Sequence, residues 1–199
     1  MADRSALIIV TGTSATLQAP EYLAALRSVL GGGFTCLMTA NAVRFLPAES
    51  LGWVGGRVLT SDAPGVNPVE LALTAAGIVV LPASAQILAA AALGLADSPA
   101  ATALLAAPAG CLFFPHMNKA MWEKDIVGRH VRSLREQGHI VVDPEEREVF
   151  EFWRGALGPG RSMPRPQEVA RIVSGWLTAT QGSTTPENAA WEAVRSHVS

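Results

Sequence analysis

The chain has 199 residues, 49% of them hydrophobic and 16% charged, with a net charge of -2. That balance excludes a disordered chain, and the lack of any basic block excludes the electrostatic footprint of a nucleic-acid binder. The length suits one domain over 1–180 followed by a C-terminal tail or helix over 181–199, and so little surface charge points to self-association.

In chain order, the first apolar run is 6–10 (ALIIV). It is too short for a signal h-region or a membrane span and reads as a buried strand. It empties into Thr11-Gly12-Thr13-Ser14-Ala15-Thr16, ahead of a helical pattern at 20–30. A glycine flanked by hydroxyls can nest an anion on backbone N–H groups, or can simply cap the helix. It is neither GxGxxG nor a Walker loop. A second strand at 34–38 (FTCLM) leads to Thr39-Ala40-Asn41, with Phe45 one turn on. A helix over 67–76 opens with Asn67 as N-cap and Pro68 at its first position.

The run 78–81 (IVVL) passes into Pro82-Ala83-Ser84-Ala85-Gln86 and a helix over 83–95. Small residues there admit a flat ligand, and Ser84 and Gln86 offer hydrogen bonds. The run 111–114 (CLFF) ends in Pro115-His116-Met117-Asn118, with Met121 and Trp122 ahead of a helix over 126–137. A last strand is expected at 140–142. The segment 143–165 then mixes Pro144, Pro159 and Pro164 with Phe150, Phe152 and Trp153; a connection this long is functional or disordered, and three aromatics argue against disorder. Helices follow at 167–177 and after Thr185, the last carrying Trp191 and Val194.

Continuously apolar strands alternating with helices predict a parallel sheet covered on both faces, joined by right-handed crossovers. Such sheets bind ligands beyond the carboxyl ends of their strands. Three polar strand ends facing one crevice favour a phosphorylated aromatic ligand. The Asn118 amide can donate to a carboxylate; His116 reads either as a reactive imidazole or as a satisfied structural one, and Met117 and Met121 as pocket or core. The four histidines lack metal-ligand spacing, so no metal is expected, and no G-x-S-x-G elbow occurs. Cys36 and Cys111 read as buried thiols of a reducing cytoplasm.

Together, TGTSA, TANAVRF, VVLPASAQILAAAALGLADSP and FFPHMNKAMWE resemble the homo-oligomeric flavin-containing cysteine decarboxylases, from about residue 6 to about residue 173. That family includes phosphopantothenoylcysteine decarboxylase and the peptidyl-cysteine decarboxylases of lantibiotic and related pathways. The resemblance implies an α/β, flavodoxin-like (Rossmann-type) fold and bound FMN, held between subunits of a trimer that can build a dodecamer. It places the FMN phosphate near Gly12, Thr13, Ser14 and Ser84, with Ala15 in the same motif. Thr39 and Phe45 fall near the flavin, and Pro82, Ala83, Ala85 and Gln86 along its ring. Asn118 matches the asparagine that handles substrate, and Met121 its companion.

Two departures stand out. The slot of the family's usual histidine is Pro68, which cannot accept a proton; Asn67, Glu70 and His116 are the nearby candidates, and His116 is favoured because its motif lies in the crevice. The segment 143–165 also lacks the flap cysteine that reduces the enethiol in the coenzyme A pathway, so an enethiol product would be released. The implied activity is FMN-dependent oxidative decarboxylation of the C-terminal cysteine of a ribosomally made precursor peptide, giving an enethiol for AviCys-type ring formation. Phosphopantothenoylcysteine decarboxylase and a non-catalytic flavoprotein subunit are the alternatives. In the peptide reading 143–165 is a flap, with Trp153 and Met117 against the substrate and Arg154 or Arg161 meeting its carboxylate. Neither nucleic acid nor membrane is an expected partner.

Overall fold

Strand β1 (Ala6–Val10) buries all five of its side chains. It can do so because its alternate residues enter two separate cores. Ala6, Ile8 and Val10 pack with Leu23 and Leu26 of α1 (Ala19–Val29) on one face, and Leu7 and Ile9 pack with Ile87, Leu104 and Leu134 on the other. Full burial of such a side chain contributes about 1.5–3 kcal/mol. This two-sided burial is why the strand reads as an unbroken apolar run. The computed structural model describes residues 5–31, 33–152 and 154–182. Trp153 and the expected last helix with Trp191 and Val194 lie outside the described residues.

After β1 come a short 3-10 helix (Ser14–Gln18), α1, and β2 (Phe34–Met38). Then follow α2 (Ala40–Val43), α3 (Ala48–Gly52), β3 (Arg57–Thr60), α4 (Pro68–Thr74) and β4 (Ile78–Ala83). The second half runs α5 (Ala85–Leu93), α6 (Pro99–Leu105), β5 (Leu112–Pro115), α7 (Lys119–Trp122), α8 (Asp125–Glu136) and β6 (Ile140–Val141). A hairpin of β7 (Glu145–Glu151) and β8 (Ala156–Ser162) precedes α9 (Pro166–Gly182). Six strands form one parallel sheet in the order β3-β2-β1-β4-β5-β6. This is the doubly wound, flavodoxin-like α/β architecture, and its strand order reverses between β1 and β4, where such sheets open a crevice.

The helices α3 and α6 were not read from the sequence, and the structure departs from that reading in three further places. Strand β3 was not expected: it is a four-residue edge strand, half-exposed and opened by Arg57, so it lacks a continuous apolar run. Strand β4 continues through Pro82 and Ala83, so α5 begins at Ala85 with Ser84 as its cap. The segment 143–165 is a regular antiparallel ribbon rather than a loop, with Glu145 opposite Ser162 and Glu151 opposite Ala156. Its alternating charges and its Pro159 hid the strands; the proline is tolerated because a two-stranded ribbon is all edge. The Tyr22 hydroxyl of α1 donates to Pro164 O at 2.9 Å and ties down the ribbon's foot.

Both cysteines are buried and unpaired, and burial pushes each thiol up to about 12, far from ionisation at neutral pH. Among the described residues no helix is long and apolar enough to cross a membrane.

Candidate active site

Thr11 follows β1 and Ser84 follows β4, on either side of the reversal in strand order. Thr11 Oγ1 donates to Pro82 O and accepts from the Ser84 N–H, both at 2.8 Å. Thr16 Oγ1 donates to Thr11 O at 2.8 Å and accepts from the Thr13 N–H at 3.1 Å. Both threonines are buried. Four satisfied bonds, each contributing about 0.5–1.5 kcal/mol net, set the spacing of the two loops before any ligand arrives.

Beside this brace lies a cavity of about 390 Å³. Thr11, Gly12, Thr39, Asn41, Ser61, Ser84 and Gln86 supply its polar wall, Ala40, Ala85 and Met121 part of its apolar one, and Asp97 a carboxylate. No Lys, Arg or His is among the described residues that line it. Thr13 Oγ1, next in the chain to Gly12, is buried with no hydrogen-bond partner. Gly12 approaches α2 so closely that a β-carbon there would lie 2.5 Å from Asn41 Cβ and 2.7 Å from its carbonyl carbon. Neutral hydroxyls and amides, an orphaned hydroxyl, the amino end of α5 and small alanines fit the phosphate, sugar chain and flat ring of a flavin nucleotide.

Of the residues predicted to bind cofactor, Gly12, Thr39, Ser84, Ala85 and Gln86 line this cavity, and so does Met121. Ala15, Pro82 and Ala83 are buried in the floor and line neither cavity described here, so only their backbone can take part. Ser61 and Ser98 were missed, while Asn41 and Asp97 stood in stretches singled out in the sequence but were given no role of their own. Ser61 follows the unread β3. Ser98-Pro99 carried a legible signal, since Ser98 Oγ accepts from the Ala101 N–H at 3.3 Å and Pro99 opens α6.

A second cavity, of about 600 Å³, is built from the same strand ends. Ser14, Leu17 and Phe45 form one wall, His116, Met117, Asn118 and Lys119 another, and the hairpin closes it with Val149, Phe150, Glu151, Phe152, Gly160 and Arg161. Phe150 and Phe152 meet edge to face at 5.4 Å and are more than half exposed. The backbone N–H of His116 donates to Ala83 O at 2.9 Å, while its Nδ1 is buried without a hydrogen-bond partner. Burial lowers the His116 pKa from 6.5, so the ring is uncharged at neutral pH. Asn118 caps α7: its side-chain oxygen accepts from the Ala120 N–H at 2.8 Å. The oxygen is thereby committed, and the NH₂ is the part left to donate.

Of the two arginines expected at the carboxylate, one lies on the cavity and both are already paired. Arg161 lines the cavity, but its Nη1 donates to Pro144 O at 3.1 Å and its Nη2 to Glu146 at 2.9 Å. Arg154 lines neither cavity and pairs with Glu151 at 3.0 Å. Neither therefore presents an open fork to a carboxylate. At the start of α4, Asn67 caps the helix by accepting from the Glu70 N–H at 3.2 Å, and Pro68 occupies the first position, as the sequence predicts. Glu70 is exposed, and Asn67, Pro68 and Glu70 line neither cavity. Of the candidate proton acceptors, His116 alone faces one.

A doubly wound sheet with a neutral anion nest at its switch point, beside an aromatic-walled cleft, defines a flavodoxin-like protein of the kind that holds a flavin nucleotide. The chain belongs to the flavoprotein family, whose model matches residues 1–178. It is similar to mersacidin decarboxylase of Bacillus sp. (strain HIL-Y85/54728), with 31% identity over 174 residues, 86% of this chain and 89% of that protein. Among solved structures, the FMN-dependent cysteine decarboxylase SpaF aligns with a TM-score of 0.75 and 32% identity, over 91% of this chain and 99% of that one. EpiD complexed with the substrate peptide DSYTC shares the fold at a TM-score of 0.78 and 22% identity, over 83% of this chain and 95% of that one.

Proposed function

We propose that the protein is an FMN-dependent peptidyl-cysteine decarboxylase. It removes CO₂ and two hydrogens from the C-terminal cysteine of a ribosomally made precursor peptide, leaving an enethiol for ring closure. The observation that carries this reading is the joint construction of the two cavities. The ends of β1, β2 and β5 each contribute residues to both, so a nucleotide in one lies beside a peptide terminus in the other. Gly12, Thr13, Ser14, Thr39, Ser84 and Gln86 would hold the cofactor, with Phe45 near its ring. When bound, FMN supplies the two-electron oxidant that the overall change requires.

The chain's own groups supply position and proton transfer. The Asn118 NH₂ donates to the substrate carboxylate. His116, uncharged and with Nδ1 unpartnered, accepts the thiol proton, which is otherwise held with a pKa of about 8.5. Phe150, Phe152 and Met117 exclude water from the carboxylate, which favours loss of its charge as CO₂ departs. We place the activity in the cytoplasm and in a homo-oligomer, a trimer or a dodecamer of trimers; the exposed Leu73, Leu93 and Leu105 support such association.

Incubating the FMN-loaded protein with peptides ending in cysteine should lower the peptide mass by about 46 Da, for CO₂ and two hydrogens. A yellow protein that leaves every such peptide unchanged would instead be a non-catalytic subunit. The pH profile tests His116. Because burial favours its neutral form, the acid limb of kcat/KM should lie below 6.5. That limb should disappear in His116→Gln, along with most of the rate. An unchanged profile in the variant would remove the imidazole from proton transfer.

A further inference from the structure

Resting on the peptide reading, we infer that Lys119 is the counter-ion for the substrate's terminal carboxylate and makes the protein select a free acid over an amide. The carboxylate must leave bulk water to enter an aromatic-walled cavity, and an unpaired anion pays a large desolvation cost there. The charged side chains lining that cavity are Lys119, Glu151 and Arg161. Glu151 has the wrong sign and is paired to Arg154. Arg161 has both Nη groups engaged by Pro144 O and Glu146. Lys119 is held only loosely: its Nζ lies 3.7 Å from Glu123 Oε1, with the two side chains 41% and 53% exposed. An exposed pair at that distance contributes little and is readily exchanged for a better-placed anion.

Lys119 also directly follows Asn118, whose NH₂ is the neutral donor on the same wall. An ammonium and an amide side by side can take the two oxygens of one carboxylate. A charge-assisted contact of this kind acts mainly in the ground state. Negative charge leaves the carboxyl group as CO₂ departs, so the cation strengthens binding without lowering the barrier to decarboxylation.

The test uses the FMN-loaded protein and a peptide whose terminal cysteine is replaced by serine, so that it binds without turnover, made both as free acid and as C-terminal amide. Fluorescence anisotropy should show wild-type protein binding the acid about tenfold more tightly than the amide. Lys119→Met should lose about that factor for the acid and nothing for the amide, and Lys119→Arg should restore it. With the cysteine peptide, Lys119→Met should raise KM by a similar factor while kcat stays level or rises. Equal weakening of acid and amide, or no weakening of either, overturns the assignment. A wild-type protein that binds neither peptide overturns the peptide reading itself, and the counter-ion with it.

Discussion

Asn118→Asp should abolish decarboxylation while leaving the protein folded and yellow. Aspartate keeps the side-chain oxygen that accepts from the Ala120 N–H, and it is as good an N-cap as asparagine, so α7 keeps its start. What changes is the other half of the group. The NH₂ donor becomes a second oxygen, and a negative charge now faces the carboxylate that the donor was to hold. Loss of a donor to a charged group costs about 1.5–3 kcal/mol of substrate binding and orientation, and like-charge repulsion adds to it, so kcat/KM should fall by at least about 100-fold. The checks are kcat/KM on a cysteine-ended peptide, together with the flavin absorbance of the purified variant. Wild-type turnover in Asn118→Asp would take the amide out of substrate handling, and loss of flavin would make it part of the cofactor site.

Gly12→Ala should cost the protein its cofactor. The added methyl would sit 2.5 Å from Asn41 Cβ, 2.7 Å from Asn41 C and 2.8 Å from Asn41 O. Two of those atoms are backbone, so no rotamer change relieves the clash. Either α2 moves away or the loop after β1 does, and both carry residues of the 390 Å³ cavity. Overpacking of this kind costs about 1–3 kcal/mol, which lowers Tm by several degrees in a chain of this size. Part of the same strain falls on the loaded state, so FMN affinity should drop at least about tenfold by flavin-fluorescence titration. A variant with wild-type affinity and Tm would mean that the loop tolerates displacement and does not set the cavity's shape.

How much of this was legible in the sequence depended on burial. Strands β1 and β2, covered on both faces, gave apolar runs whose ends could be read to the residue. Strand β3 and the hairpin are half-exposed and charged, and their pairing is set by partners distant in sequence, which a run-by-run reading does not see. The cavities followed the same divide. Gly12, Ser84 and Asn118 could be found because a strand end, a cap and a distinctive motif marked them. Thr11 looked like one more hydroxyl in a loop; its function in the fold is visible only once Pro82 and Ser84 are brought beside it. The reading of Arg154 or Arg161 as the carboxylate's partner, with no role given to Lys119, has the same origin. Which cation is already paired depends on Pro144 and Glu146 across the ribbon, and sequence spacing does not report that.

Several charges of the β7–β8 ribbon are met within it or at its foot. Arg147 pairs with Glu145, Arg154 with Glu151, and Arg161 with Glu146 and Pro144 O. Swinging it outward about its foot would leave these pairs together and uncover the aromatic wall of Phe150 and Phe152. Part of the cost of opening a door hung this way is lost hydrocarbon contact. On the peptide reading, an incoming chain that offers apolar side chains of its own repays that part whatever the order of its residues, and tolerance upstream is then expected beside strict chemistry at the last residue.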